Sequence, residues 1–180
     1  MIKYGVIKIK DLRKAIWLLF IGLLTAVVIY PFLHELGHSL ATIILGGKVV
    51  EFHLFPLPNM LCDGSRLNNN ALAFIGLCGM LFPFLISAII KIKQFTFWYM
   101  LQLLKGISIL AFVLSLISIF GIKRGICIAN DDIVTALRFY PDGKTVFTAL
   151  IILLIVWAVF SILRQRPIRY ISKYFGINEK

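Results

Sequence analysis

With 180 residues, 60% of them hydrophobic and 15% charged, the chain carries more apolar surface than a soluble domain of this length can bury. Its net charge of +11 does not point to nucleic acid, because the 19 Lys and Arg sit mostly outside the apolar runs and no nucleic-acid-binding motif accompanies them. Three cysteines, Cys62, Cys78 and Cys127, are odd in number and widely spaced, and neither a disulfide framework nor a CxxC metal site can be read from them.

The first residues are basic (Lys3, Lys8, Lys10, Arg13 and Lys14 against Asp11) and lead directly into an apolar run. A signal peptide begins this way, but no small-x-small cleavage site follows, so the run reads as an uncleaved anchor. It spans about residues 15–45, longer than a ~30 Å hydrocarbon core requires at about 1.5 Å per residue. Pro31 predicts a kink within it, and Gly46-Gly47 predicts its end.

Inside this run lies His34-Glu35-Leu36-Gly37-His38, an HExxH sequence. On a helix, residues i and i+4 share a face, so His34 and His38 can hold one metal ion between them, zinc being the usual choice. Glu35, one position round, can act on a bound water without being a ligand. The competing explanation is a chance match, or polar residues satisfied in a core. Ionisable groups within a membrane are costly and usually functional, which favours the metal.

Residues 48–57 mix Val49, Val50, Phe52 and Leu54 with Glu51 and His53. They suit a short strand or hairpin stopped by Pro56 and Pro58. His53 is a conceivable third ligand, but a strand beyond the Gly-Gly turn must fold back to reach the site, so it reads as an interfacial residue. Residues 59–70 are polar and read as a loop. The second span covers about 71–90, with Gly76, Gly79 and Pro83 as a small-residue stretch for close approach to the HExxH helix. The third apolar segment starts at Phe95; its core span is 106–122, with Lys105 expected to snorkel to the interface. After the basic turn at Lys123 and Arg124 come Asn130-Asp131-Asp132, where two of the chain's eight acids stand side by side. Asn130 or Asp131 can cap a short helix there, but capping explains only one of these polar residues. The last span covers about 145–163, and the basic amphipathic tail, 164–180, suits an anionic membrane surface.

The fold class expected is therefore an all-α polytopic membrane protein of about four transmembrane helices in one domain, 1–180, with a short membrane-associated strand or hairpin after the HExxH helix. Counting Lys and Arg by loop gives thirteen on the side of both termini against six opposite, which places both termini in the cytoplasm, in the cell membrane.

The run His34-Glu35-Leu36-Gly37-His38-Ser39-Leu40-Ala41, with Leu45-Gly46-Gly47-Lys48-Val49 after it, resembles the signature of site-2 protease type intramembrane zinc metallopeptidases, and the chain resembles a small M50B-like version of that family's core. Gly76-x-x-Gly79-x-x-x-Pro83 resembles the family's packing helix. The resemblance implies hydrolysis of peptide bonds in or beside the membrane-spanning segment of a membrane protein or membrane-bound peptide, with Zn2+ as cofactor and Glu35 as the base. It also implies a third ligand from a later aspartate, here Asp132, or Asp131 as second choice, since Asp131 is the better placed of the two to cap. The family's Asp-Gly preceded by Asn and Pro is replaced by Asn130-Asp131-Asp132-Ile133, while Asp63-Gly64 and Asp142-Gly143 stand in other settings. Val49, Val50 and Phe52 are the candidate substrate-binding residues, through strand pairing with an unwound substrate. Two rival readings are a zinc-binding membrane scaffold or regulator without proteolysis, and a structural membrane protein in which HExxH is incidental.

Overall fold

The computed structural model describes residues 9–56, 58–121 and 131–176. The start of the basic N-terminus, Lys123, Arg124, Cys127 and the alternative cap Asn130 lie outside the described residues.

Among the described residues, four stretches are long and apolar enough to cross a membrane: Leu12–Ile44, Asn69–Ile89, Phe95–Gly121 and Pro141–Phe175. The architecture is that of an all-α polytopic membrane protein, with one two-stranded sheet among the described residues. Apolar side chains such as Leu19, Leu23, Leu153, Val156 and Phe160 stay exposed on the outside of the bundle, as lipid-facing side chains do.

The first stretch is built from α1 (Ile9–Leu24), a π-helical turn (Thr25–Ile29) and α2 (Tyr30–Ile44). The kink expected at Pro31 takes the form of that π turn. Pro31 sits in the first turn of α2, and the Tyr30 N–H just before it bonds back five residues to the Thr25 carbonyl. A proline ring would clash with the carbonyl four residues earlier in a regular helix, and a wider turn relieves that contact. At its other end α2 stops in a Schellman motif: Gly46 N–H bonds to the Ile43 carbonyl at 3.1 Å and Gly47 N–H to the Thr42 carbonyl at 2.8 Å. Gly46 adopts φ +88°, which a residue with a Cβ rarely tolerates.

Beyond this turn the chain forms an antiparallel hairpin, β1 (Lys48–His53) and β2 (Asn59–Asp63), with Lys48 opposite Asp63, His53 opposite Asn59 and a bulge between Val49 and Glu51. The β2 strand corrects the expectation of a loop over 59–70. Met60 and Cys62 are half-buried while Asn59, Leu61 and Asp63 are exposed, the two-residue alternation of a strand with one covered face. Asn68 then caps α3 (Asn69–Ile89), its side chain accepting from the Ala71 N–H at 2.9 Å, so the second span begins at Asn69.

Helix α3 is the hub. It packs against α2 and α4 (Phe95–Gly121), and also against α5 (Asp132–Phe139), a short helix laid along it. Phe84 of α3 is fully buried, edge-on to Phe112 of α4 (5.7 Å) and to Trp157 of α6 (Lys144–Arg164; 5.1 Å). Such edge-to-face pairs add about 0.5–1.5 kcal/mol each beyond the area they bury. The tail forms α7 (Pro167–Phe175), whose Tyr174 stacks on Phe95 at 3.9 Å and accepts a bond from Lys14 Nζ at its carbonyl (2.8 Å).

Lys105 does not snorkel. It belongs to one continuous α4 helix and is fully buried, with no hydrogen-bond partner for Nζ among the described residues. The buried face of α4 (Leu101, Leu104, Ser108, Phe112) turns Lys105 inward with it, away from the interface. Lys105→Met keeps the length and removes the orphaned polar group, and is expected to stabilise the protein by about 1–3 kcal/mol. Thermal unfolding in detergent, compared with the unsubstituted protein, measures this.

Candidate metal centre

Helix α2 presents His34 and His38 one turn apart, their rings edge-to-face with centroids 4.8 Å apart. Two glycines, Gly37 of α2 and Gly79 of α3, let α3 press against them. A Cβ on Gly37 would fall 2.6 Å from Phe82 Cβ and overlap the Cys78 carbonyl, so only glycine lets the two backbones approach this closely. A Cβ on Gly79 would overlap the His38 ring itself. The small-residue stretch therefore does pack against the HExxH helix, as expected. Gly79→Ala is expected to push His38 out of line and weaken metal binding at least tenfold. Gly76→Ala, where the new methyl meets neighbours at 3.2–3.4 Å, should cost far less. Zinc titration of the two variants separates them.

Gly76 faces the start of α5, next to the Asp132 carbonyl and Ala136. That contact lays α5 on α3 and brings Asp132 to the two histidines. His34 Nε2 lies 3.2 Å from Asp132 Oδ2, His38 Nε2 lies 3.4 Å from Asp132 Oδ1, and the two Nε2 atoms are 3.3 Å apart. Tetrahedral coordination with bonds of about 2.0–2.1 Å puts ligand atoms roughly 3.3 Å apart, and each of these separations has that size, with the two histidines facing different oxygens of the one carboxylate. His38 Nδ1 faces the Ile75 carbonyl at 2.7 Å. A bond there requires the proton on Nδ1, which leaves the Nε2 lone pair free for a metal. Two imidazole nitrogens and one carboxylate are a donor set that suits zinc, and His34, His38 and Asp132 fit the group. No family model matches the chain, and no curated protein or solved structure is significantly similar to it.

The neighbouring acid has other work. Asp131 caps α5, Oδ1 accepting from the Ile133 N–H at 3.0 Å. It also accepts from Ser115 (3.1 Å, Oδ1) and Ser118 (2.6 Å, Oδ2) of α4. The start of α5 is thereby tied to α4 as well as to α3, which fixes where Asp132 points. Ser108, Ser115 and Ser118 lie on one face of the α4 sequence at helical spacing, a signal legible in the sequence but not read there as a partner for an acid.

Glu35 stands beside the cluster, its carboxylate accepting from the Met60 N–H of β2. Ser39, one turn on, bonds to the Glu35 carbonyl at 2.9 Å and lies 3.0 Å from Met60 Sδ. The hairpin is thus anchored directly on the HExxH helix, a backbone contact that no side-chain pattern announces. Phe52 packs edge-on to Phe32 of α2 at 6.1 Å and Val49 is half-buried, whereas Val50, in the bulge, is exposed. His53 stays apart from the cluster, exposed and paired with Glu51 at 2.9 Å. Asp63 ends β2, and the Ser65 N–H it accepts holds its carboxyl below the ordinary range.

Proposed function

We propose that this protein is a zinc-dependent intramembrane metallopeptidase of the site-2 protease type, acting on peptide bonds in or next to the membrane-spanning segments of membrane proteins or membrane-bound peptides. The observation that carries the reading is the convergence of His34, His38 and Asp132 with Glu35 at their side, inside a bundle of membrane-length helices. His34, His38 and Asp132 would hold the ion. When bound, zinc supplies Lewis acidity to the scissile carbonyl and to water.

The chain's own residues do the remainder. Glu35 takes a proton from the attacking water and returns it to the leaving amine. Asp131, with Ser115 and Ser118, keeps α5 in place. The hairpin offers an edge to which an unwound substrate strand can add, with Val49, Val50 and Phe52 along it. Unwinding is required because a helical substrate keeps its peptide groups hydrogen-bonded internally and closed to attack. Both termini lie in the cytoplasm in this reading, following the charge asymmetry of the loops, and the basic tail rests on the membrane surface.

The test compares membrane proteins in cells producing the unsubstituted chain with those in cells producing Glu35→Gln. Uncleaved membrane-anchored proteins should accumulate in the variant strain. Identical profiles in the two strains, with zinc present in both purified proteins, would overturn the peptidase reading in favour of a zinc-binding scaffold.

A further inference from the structure

Tyr30, His34 and His38 stand at successive i+4 positions of α2, in one row along the helix. The Tyr30 ring lies 6.2 Å from the His34 ring, and its hydroxyl is within electrostatic reach of the Asp132 carboxylate. That hydroxyl is buried and has no hydrogen-bond partner among the described residues. A phenylalanine would fill the same volume without burying an unsatisfied O–H group. An O–H group left without an acceptor beside a cluster of metal-ligating side chains is a donor set up for an acceptor that arrives from outside.

Helical geometry says where that acceptor sits. At about 100° per residue, Tyr30 and Glu35 lie roughly 40° and 100° from His34 on opposite flanks, about 140° apart round the α2 axis. A carbonyl held over the His34–His38 row therefore has the base on one side and the phenol on the other. We propose that Tyr30 is a catalytic residue of this site, donating its phenolic hydrogen bond to the oxygen of the scissile carbonyl as negative charge develops there. The proposal rests on the peptidase reading above and adds a residue to it. No bond is made or broken at Tyr30: it stays neutral, and its hydrogen bond strengthens as water adds to the carbonyl carbon. A donor that gains strength only in the transition state acts on kcat rather than on substrate affinity.

The experiment uses Tyr30→Phe in the full chain, with a quenched-fluorescence single-span peptide as substrate and a phosphinic peptide of the same sequence as a tetrahedral mimic. Expected are an unchanged zinc content, a metal-free unfolding temperature no lower than that of the unsubstituted protein, and a kcat about ten- to a hundredfold lower at unchanged KM. Affinity for the phosphinic peptide should fall by a similar factor while affinity for the uncleaved amide peptide holds. Equal kcat and equal phosphinate affinity in both proteins would overturn the role of Tyr30 and leave the peptidase reading standing. A lower unfolding temperature in the metal-free variant would also overturn it, making the tyrosine a packing residue. If the unsubstituted protein neither cleaves the peptide nor binds the phosphinate, the peptidase reading fails and this inference falls with it.

Discussion

Asp132→Ala is expected to abolish stoichiometric zinc binding while Asp131→Ala leaves it measurable. Among the described residues, Asp132 alone brings carboxylate oxygens within 3.4 Å of the two histidine nitrogens, so in the proposed site its removal leaves two protein ligands where a catalytic zinc needs three. The loss should exceed the ten- to a hundredfold that removing a supporting residue typically costs. Asp131 is such a supporting residue. Its carboxylate holds the first turn of α5 and two α4 serines, so alanine there removes an N-cap worth about 0.5–2 kcal/mol and two further hydrogen bonds. The Asp131 variant should unfold at lower temperature and bind zinc ten- to a hundredfold more weakly, because α5 no longer presents Asp132 rigidly. Zinc titration and thermal unfolding in detergent, run on both variants, give opposite rankings. Stronger loss of zinc in Asp131→Ala than in Asp132→Ala would reassign the third ligand.

That division between adjacent acids was legible in the sequence because it follows from helix chemistry. An aspartate immediately before a helix caps it, and the next residue starts the first turn and is free to point elsewhere. The four spans were legible for a similar reason: each is a long apolar run ended by glycine, proline or charge. Where side-chain type did not set the structure, the sequence was silent. β2 is five residues held by ladder bonds to β1, and its grip on Glu35 passes through a backbone N–H that any non-proline residue possesses. The Ile75 carbonyl that orients His38 is equally anonymous. Lys105 misled in the opposite sense. Its type argued for an interface, but its place on the buried face of α4 put Nζ inside the bundle. Side-chain chemistry thus singled out the residues that the fold brings together, His34, His38 and Asp132, and backbone placement, unseen from composition, supplied most of what holds them there.

Glu35→Gln is expected to lower peptide hydrolysis by a hundredfold to ten-thousandfold with fold and zinc content unchanged. Glutamine is nearly isosteric and can still accept the Met60 N–H through its carbonyl oxygen, so the hairpin's anchor on α2 survives the substitution. Glu35 is no part of the ligand cluster, which leaves His34, His38 and Asp132 as they are. In the proposed mechanism the variant lacks only the capacity to take a proton from water and deliver it to the departing amine, and general acid–base catalysis of that kind contributes about 10²–10⁴ in rate. In the proposed function substrate adds to the hairpin edge and does not use this proton, so KM should change little while kcat collapses. Zinc analysis and steady-state cleavage of the quenched-fluorescence single-span peptide, run on the same preparation, measure both. Cleavage at the unsubstituted rate with full zinc occupancy would reduce Glu35 to an anchor for β2 and require another base.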